Sequence, residues 1–377
     1  MVPELTGRKE AGQPGRPKTD EARTVPGKRR EENARWPGLS DKESGGAVLG
    51  ECREEDARAR PVVLDAMGGD HGPAETVRGA VTARREYGVP VLLVGRAPEV
   101  HRELLRHDAA GEIEMVHAAD VVRMAERGSG AAARRESSLM VGCELVRRGA
   151  GAAFVSAGST GAVVTCAVRV LGRELGVLRP ALAVAVPSVT GGATVLVDAG
   201  ATTDPTPEMV ARFALLGAGY ARRVLGVADP LVGLLSVGAE PGKGNRLARR
   251  AAGLLPRLPV RFHGNIEGHD VLAGTVDVVV TDGFTGNVVL KSVEGCVRAT
   301  LALVADAGVA APDRLREVAR RYAAETHGGA ALLGLAGTVV VAHGSSRSTA
   351  IARACVVARD LAAGRPAGAC PPVGPVP

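Results

Sequence analysis

Aromatic residues are scarce in this chain, in which Phe, Trp and Tyr together make up 2% of 377 residues. A hydrophobic core must therefore be packed mainly with Val, Leu and Ala, and the 45% hydrophobic content is enough to build a substantial one. Few aromatic rings also argue against a surface that stacks nucleic-acid bases. We expect no nucleic-acid partner.

The chain also lacks any C-x-x-C pair, since its six cysteines are scattered between Cys52 and Cys370. This spacing disfavours a zinc site and a disulfide framework, and it fits a reducing cytoplasm best. No apolar run approaches the roughly 18 residues of a membrane span, and the N-terminus lacks the apolar core of a signal peptide. We expect a soluble, cytoplasmic protein.

Charge is nearly balanced, because 47 basic residues are interspersed with 41 acidic ones to give a net charge of +6. Residues 1–60 are rich in charge, Gly and Pro and show no sustained apolar period, which is typical of a disordered extension or a misplaced start site. Deleting them should leave fold and activity intact. Residues 364–377 have the composition of a flexible tail.

From Pro61 onward, apolar strand-like runs alternate with helix-like segments. Val62–Leu64 and Val91–Val94 have the pattern of buried strands, and each is followed by a helical pattern, at Pro73–Tyr87 and Pro98–Arg106. This alternation continues to Ala363 and predicts an α/β fold with a doubly wound, mostly parallel sheet.

One segment breaks the alternation. Ala181–Val186 and Ala193–Val197 are both apolar and flank the short turn Thr190-Gly191-Gly192. Such a turn is short enough for an antiparallel hairpin, so the sheet is predicted to be mixed.

Residues 281–291 follow the apolar run Val278–Val280 and contain two glycines, two threonines, an Asn and a Lys. Free backbone N–H groups at a helix start, glycines and a nearby cation together suit an anion. We expect a loop followed by a helix from Asn287. An ordinary strand-to-helix turn is the alternative, and the Walker A spacing is absent.

Similar polar loops follow several other strand-like runs, at residues 65–73, 156–162, 198–204, 236–240, 264–268 and 342–346. Their number predicts a single cleft lined by strand-end loops. Alternatives remain for individual residues: Asp70 or His71 caps the next helix, Ser159 is an N-cap, and His343 is a core histidine. These loops contain neither the G-x-S-x-G motif of a hydrolase nucleophile nor the G-x-G-x-x-G motif of a dinucleotide-binding site, which disfavours both classes of enzyme.

In order, these motifs resemble those of the PlsX-type phosphate acyltransferases over roughly residues 61–363. The series is far more specific than a lone glycine motif. It comprises V-L-D-A-M-G-G-D-H (63–71), S-A-G-S-T-G-A (156–162), R-P-A-L (179–182), K-G-N (243–245), G-N-I-E (264–267), V-D-V-V-V-T-D-G-F-T-G-N-V-V-L-K (276–291) and A-H-G-S-S (342–346).

The resemblance implies transfer of a fatty acyl group from acyl carrier protein to inorganic phosphate, which gives acyl phosphate for phospholipid synthesis. It also implies a three-layer α/β fold similar to phosphotransacetylases and isocitrate dehydrogenases, a homodimer, and neither a metal nor an organic cofactor. Family members can associate peripherally with membranes; here Ala305–Thr326 is Arg-rich with few large apolar residues, so any such binding should be slight and electrostatic.

Thioester attack by phosphate needs an anion site, a cation and donors for the developing oxyanion. We therefore predict catalytic residues in the polar loops, with further residues that bind phosphate or substrate. The catalytic candidates are Lys291, Asn287, His343, Asp282, Asp70 and His71, and the binding candidates are Ser159, Thr160, Gly161, Asn265, Thr285, Gly286 and Asp65.

An acidic carrier protein would be attracted by exposed arginines. The chain has two arginine clusters, although a solvated helix face is the alternative for each. The first comprises Arg246, Arg249 and Arg250, and the second Arg314, Arg316, Arg320 and Arg321.

The chain departs from the family pattern at three loops. Ser159 and Thr202 stand where the family usually has Asn, and residues 236–240 read S-V-G-A-E in place of N-x-G-T-E. Each change removes a side-chain amide or hydroxyl, although Ser and Thr still donate hydrogen bonds. Two alternatives to the acyl-carrier-protein enzyme therefore remain: a phosphotransacetylase-like enzyme using acyl-coenzyme A, and a degenerate homologue that only binds carrier protein. The sequence leaves acyl chain length open.

Overall fold

One eleven-stranded sheet runs through the computed structural model, which describes residues 60–126, 128–322 and 328–364. The strand order is β3-β2-β1-β4-β11-β10-β5-β6-β9-β7-β8. The strands are β1 (Val62–Asp65), β2 (Val91–Gly95), β3 (Glu114–His117), β4 (Ala153–Ser156), β5 (Ala181–Pro187), β6 (Ala193–Val197), β7 (Leu231–Leu235), β8 (Arg261–Ile266), β9 (Val278–Val280), β10 (Ala330–Leu333) and β11 (Thr338–Val341).

Helices connect most of these strands. A π-helical turn at Ala221–Leu225 and a 3₁₀ turn at Leu255–Arg257 follow the sixth and seventh α-helices. The α-helices are α1 (Ala74–Tyr87), α2 (Ala97–Arg106), α3 (Gly128–Ala133), α4 (Ser138–Arg147), α5 (Thr160–Val170), α6 (Pro207–Tyr220), α7 (Arg246–Ala252), α8 (Asp270–Ala273), α9 (Gly283–Asp306), α10 (Pro312–Tyr322) and α11 (Ser348–Ala362).

Helices cover both faces of the sheet and give three layers. Within β1, Leu64 packs in a core with Ile351 of α11, whereas Val63 faces the opposite core with Leu139 of α4 and Cys166 of α5. Successive strand side chains point to opposite faces, so a fully apolar strand feeds two cores. The predicted fold class is confirmed.

The sheet changes direction near its middle. β10 is antiparallel to both β11 and β5, and β5 is antiparallel to β6, whereas the remaining neighbours are parallel. The carboxyl ends of β1, β4 and β11 therefore lie at one edge of the sheet, and those of β6, β9, β7 and β8 lie at the opposite edge. The predicted hairpin is confirmed as β5–β6, but the expectation of one cleft for every strand-end loop is wrong.

Two further expectations are corrected by local contacts. Helix α9 begins at Gly283 and not at Asn287, because the Asp282 carboxylate accepts the backbone N–H of Thr285 at 2.8 Å. Asn265 lies within β8 and not in a loop, since it pairs with Leu234 of β7.

The predicted extension, residues 1–60, and the predicted tail, residues 364–377, lie outside the described residues except for Arg60 and Gly364. In the described part of the chain, every helix is too short or too polar to cross a membrane.

Candidate active site

A cavity of 410 Å³ lies between β5 and α9. Its wall includes loop residues from the ends of β1, β4 and β11, together with residues from the first turns of α9. Five predicted site residues line it: Asp70, Thr160, Asn287, Lys291 and His343.

Close packing at the start of α9 positions Asn287 and Lys291. A Cβ atom added to Gly286 would lie 1.9 Å from the Asp198 carbonyl oxygen, so only glycine allows the helix this near to the loop after β6. Asn287 and Lys291 are four residues apart and share one face of α9. The cavity side of α9 therefore presents an amide and a cation.

The buried carboxylate of Asp198 shapes the loop after β6. It accepts four backbone N–H groups, those of Leu182, Gly200, Ala201 and Thr202, at 2.6 to 3.0 Å. Burial raises the pKa of Asp198 even though these hydrogen bonds oppose the shift. Thr202, one of the departures from the family pattern, donates its hydroxyl to the Pro180 carbonyl at 3.1 Å.

Lys291 and His343 form the polar centre of the cavity. Lys291 Nζ lies 3.0 Å from His343 Nε2 and 2.9 Å from the Glu294 carboxylate. An ammonium can only donate, so His343 Nε2 accepts the hydrogen bond from Lys291. His343 Nδ1 lies 2.8 Å from Ser345 Oγ and 3.3 Å from the Ser345 backbone nitrogen, so the loop after β11 holds the imidazole ring in place.

The loop after β1 is held by Asp65, which is 1% exposed. Its carboxylate accepts the hydroxyl of Ser156 at 2.7 Å and the backbone N–H of Met67 at 3.0 Å, and burial raises its pKa. The backbone N–H of Asp70 donates to the Gly344 carbonyl at 2.8 Å, which joins this loop to the loop after β11. Asp65 thus holds the loop after β1 through buried hydrogen bonds. Its assignment as a binding residue stays a prediction.

Helix α5 points its N-terminus toward the cavity, where Gly158 and Thr160 line the wall. Ser159 is the N-cap residue, yet its side chain makes no capping hydrogen bond. Free N–H groups and the helix dipole favour an anion at this point.

The other predicted residues lie away from this cavity. Asp282 and Thr285 face a second cavity of 170 Å³ at the opposite sheet edge, and the Asn265 amide donates to the Glu240 carbonyl at 3.1 Å. Their assignments, with those of His71, Gly161 and Gly286, remain untested predictions. Asp70 and His71 do not cap α1, whose N-cap residue is Pro73.

Glu294 and Ser345 are cavity residues that sequence reasoning missed. The three-residue spacing of Lys291 and Glu294 on a helix could have indicated their ion pair. Within residues 60–126, 128–322 and 328–364, no three His, Cys, Asp or Glu side chains are grouped as a metal would require.

Solved structures define the class of fold. A phosphotransacetylase from Streptococcus pyogenes superposes with a TM-score of 0.57 at 17% identity, over 82% of this chain and 96% of that one. A branched-chain phosphotransacylase from Enterococcus faecalis V583 gives 0.52 at 15% identity, over 80% and 99%. The chain therefore has a phosphotransacetylase-like α/β fold.

Sequence relatives identify the family. The model of the family described as "Fatty acid synthesis protein" matches residues 61–367. The chain is 52% identical over 318 residues to a phosphate acyltransferase of Thermobifida fusca, covering 81% of this chain and 88% of the relative. It is 42% identical over 309 residues to a phosphate acyltransferase of Desulforamulus reducens, covering 79% and 92%. The chain belongs to the PlsX-type phosphate acyltransferase family.

Proposed function

We propose that this protein transfers a fatty acyl group from acyl carrier protein to inorganic phosphate and releases acyl phosphate. The observation that carries the proposal is the Lys291–His343 pair, 3.0 Å apart, beside the N-terminus of α5 in a single cavity. A cation and a helix N-terminus suit phosphate, and a hydroxyl group suits a carbonyl oxygen.

In this mechanism a phosphate oxygen attacks the thioester carbonyl carbon. A C–O bond forms as the C–S bond breaks, and the hydrogen of hydrogen phosphate ends on the departing sulfur. Lys291 and the N–H groups at the start of α5 hold the phosphate charge, while the Ser345 hydroxyl faces the oxyanion that develops on the carbonyl. Glu294 and His343 fix the Lys291 ammonium in place.

The direct test is trapping of the product. Acyl phosphate reacts with hydroxylamine, and the hydroxamate formed is counted with acyl carrier protein or acyl-coenzyme A as donor, with and without phosphate. Phosphate-dependent turnover of the carrier-protein donor alone supports the proposal. Turnover only with acyl-coenzyme A would favour the phosphotransacetylase-like alternative, and carrier-protein binding without turnover would favour a degenerate binder.

The two arginine clusters are the proposed carrier-protein contacts. We call Arg246, Arg249 and Arg250 the α7 cluster, and Arg314, Arg316, Arg320 and Arg321 the α10 cluster; all of them are exposed. Helix α10 ends at Tyr322, which lines the cavity, whereas α7 lies beside the second cavity. The α10 cluster is therefore the better placed to receive a donor whose acyl group must enter the cavity.

A homodimer would cover the outer surface of α9. Only Gly283 and Gly286 are buried among its 24 residues, and Val288 and Leu303 are 48% and 71% exposed. An apolar surface of this kind is typical of a protein interface. Membrane association stays a prediction of slight, electrostatic binding through Ala305–Thr326, of which residues 323–326 lie outside the described part of the chain. Sedimentation with neutral liposomes at high salt would be the contrary result.

A further inference from the structure

The cavity wall is apolar where it crosses β5. Leu182, Val184 and Val186 alternate along the strand, so all three side chains point to the same face of the sheet. Leu290 and Val293 of α9 lie on the other side, and all five residues line the cavity. We call these five residues the β5 strip.

The β5 strip lies beside the polar centre. Lys291 directly follows Leu290 in α9, and His343 follows β11, two strands from β5. Leu182 and Val186 are four residues apart, which spans about 13 Å along a strand. An elongated apolar group with one polar end therefore matches both the length and the polarity of this wall.

Val184 is the most open of the three strand residues. Leu182 and Val186 are 7% and 4% exposed, whereas Val184 is only partly buried although it sits in the middle of the sheet, paired with Leu196. Val184 lines the cavity, so its exposed surface faces the cavity space. Covering apolar cavity surface with an apolar ligand removes that surface from water and so lowers the free energy of the complex.

We propose that the β5 strip binds the alkyl chain of the transferred acyl group and that Val184 sets the longest chain that fits. This inference rests on the proposed function and extends it to the acyl substrate class. The carbonyl lies at Lys291 and His343, and the alkyl chain runs along β5 away from the phosphate. Burial of each methylene raises affinity by about fourfold.

A larger side chain at this position should shorten the preferred chain. Val184→Phe fills the space of about two methylenes and should lower kcat/KM for a 16-carbon donor by roughly tenfold relative to an 8-carbon donor. Val184→Ala should shift the preference toward the longer donor. Phosphate lies at the other end of the cavity, so its KM should stay unchanged in both variants.

The experiment measures kcat/KM for 8-carbon and 16-carbon acyl carrier protein with wild type, Val184→Phe and Val184→Ala. Val189→Phe makes the same substitution at a 65% exposed turn residue outside the cavity wall and is the matched control. Thermal unfolding checks that each variant is folded. If Val184→Phe does not fold, the shift of Val184→Ala toward the 16-carbon donor still tests whether Val184 sets the chain length.

The outcomes separate this inference from the proposed function. Turnover with an unchanged chain-length ratio in the folded Val184 variants, or an equal change in Val189→Phe, overturns the role of the β5 strip and leaves the acyltransferase proposal standing. If wild type turns over no donor, the proposed function fails. Calorimetric titration with palmitate and octanoate then tests whether the β5 strip binds an alkyl chain. Selective palmitate binding by wild type that Val184→Phe abolishes supports this role, and equal palmitate binding by wild type and Val184→Phe overturns it.

Discussion

Replacement of Lys291 by Met tests the centre of the proposed site. Methionine keeps much of the apolar stem and removes the charge that lies 3.0 Å from His343 and 2.9 Å from Glu294. We expect a folded protein whose phosphate-dependent turnover falls by tenfold or more.

The magnitude follows from the exposure of the side chain. A unit charge about 4 Å from another is worth roughly 1 kcal/mol in water and about 4 kcal/mol at an effective dielectric constant near 20. The Lys291 side chain is 45% exposed, so its interaction with phosphate falls between these limits. About 2 kcal/mol of lost transition-state stabilisation corresponds to a roughly thirtyfold loss of kcat/KM for phosphate.

The assay counts hydroxamate from acyl carrier protein over a range of phosphate concentrations. Arg298→Met is the matched control, since Arg298 is an exposed cation on the same helix and does not line the cavity. Lys291→Arg keeps the charge and should retain more activity than Lys291→Met. Equal activity of Lys291→Met and wild type, with both proteins folded, would remove Lys291 from the mechanism while leaving the enzyme assignment intact.

Three further predictions concern stability and docking. Glu75→Gln should cost about 1 kcal/mol at neutral pH because Glu75 accepts the Ser348 N–H at the start of α11. Desolvation opposes the shift, but this hydrogen bond and Arg347 lower the pKa of Glu75 overall. The stabilisation is therefore present above pH 4.5 and is lost as pH falls through the lowered pKa, so urea unfolding curves of the variant and wild type should converge at acidic pH. Gly286→Ala should lower the free energy of unfolding by about 3 kcal/mol, because the added methyl group would clash with the Asp198 carbonyl. Gly295→Ala, in open space on the same helix, should be neutral or slightly stabilising. Equal stability of the two variants in thermal unfolding would contradict the close packing at Gly286. Charge reversal of the α10 cluster should raise KM for the carrier-protein donor at low salt more than reversal of the α7 cluster, and an unchanged KM in both would count against docking.

Local patterns were sufficient to predict most of the fold. The alternation of apolar strands and helices gave β1, α1 and β2 nearly to the residue, and the Thr190-Gly191-Gly192 turn gave the β5–β6 hairpin. These features depend on neighbouring residues, so their physical causes are visible in the sequence.

Long-range pairing was not predicted. β10 has only the four residues Ala330–Leu333, which carry no strand period, and its antiparallel pairing with β5 joins segments about 150 residues apart. Because β10 is antiparallel to both of its neighbours, β5 runs in the same direction as β11, and the sheet reverses where β5 pairs with β6, which separates the strand-end loops into two groups. Likewise, Lys291 and His343 are 52 residues apart, and their contact depends on this topology.

The start of α9 was only partly predictable, because it depends on both neighbouring residues and a long-range contact. Gly283 and Gly286 have the composition of a loop, which is why a helix was expected only from Asn287. Asp282 followed by Thr285 is nevertheless a local capping signal. The glycines are there because the helix approaches the loop after β6 closely, which is a tertiary cause that a single sequence does not reveal.

The reversal of the sheet also bears on the proposed substrate. Asn287 approaches Gly200 at the edge where β6 ends, whereas His343 lies at the edge where β11 ends, so the cavity between them crosses the sheet along β5. A site for a small acyl group would need polar loops at one edge only. A cavity that reaches both edges, with an apolar strand as its floor, provides length as well as an anion site. In our proposal this geometry suits a long fatty acyl chain, and the chain-length ratio in Val184→Phe measures how much of that length the substrate uses.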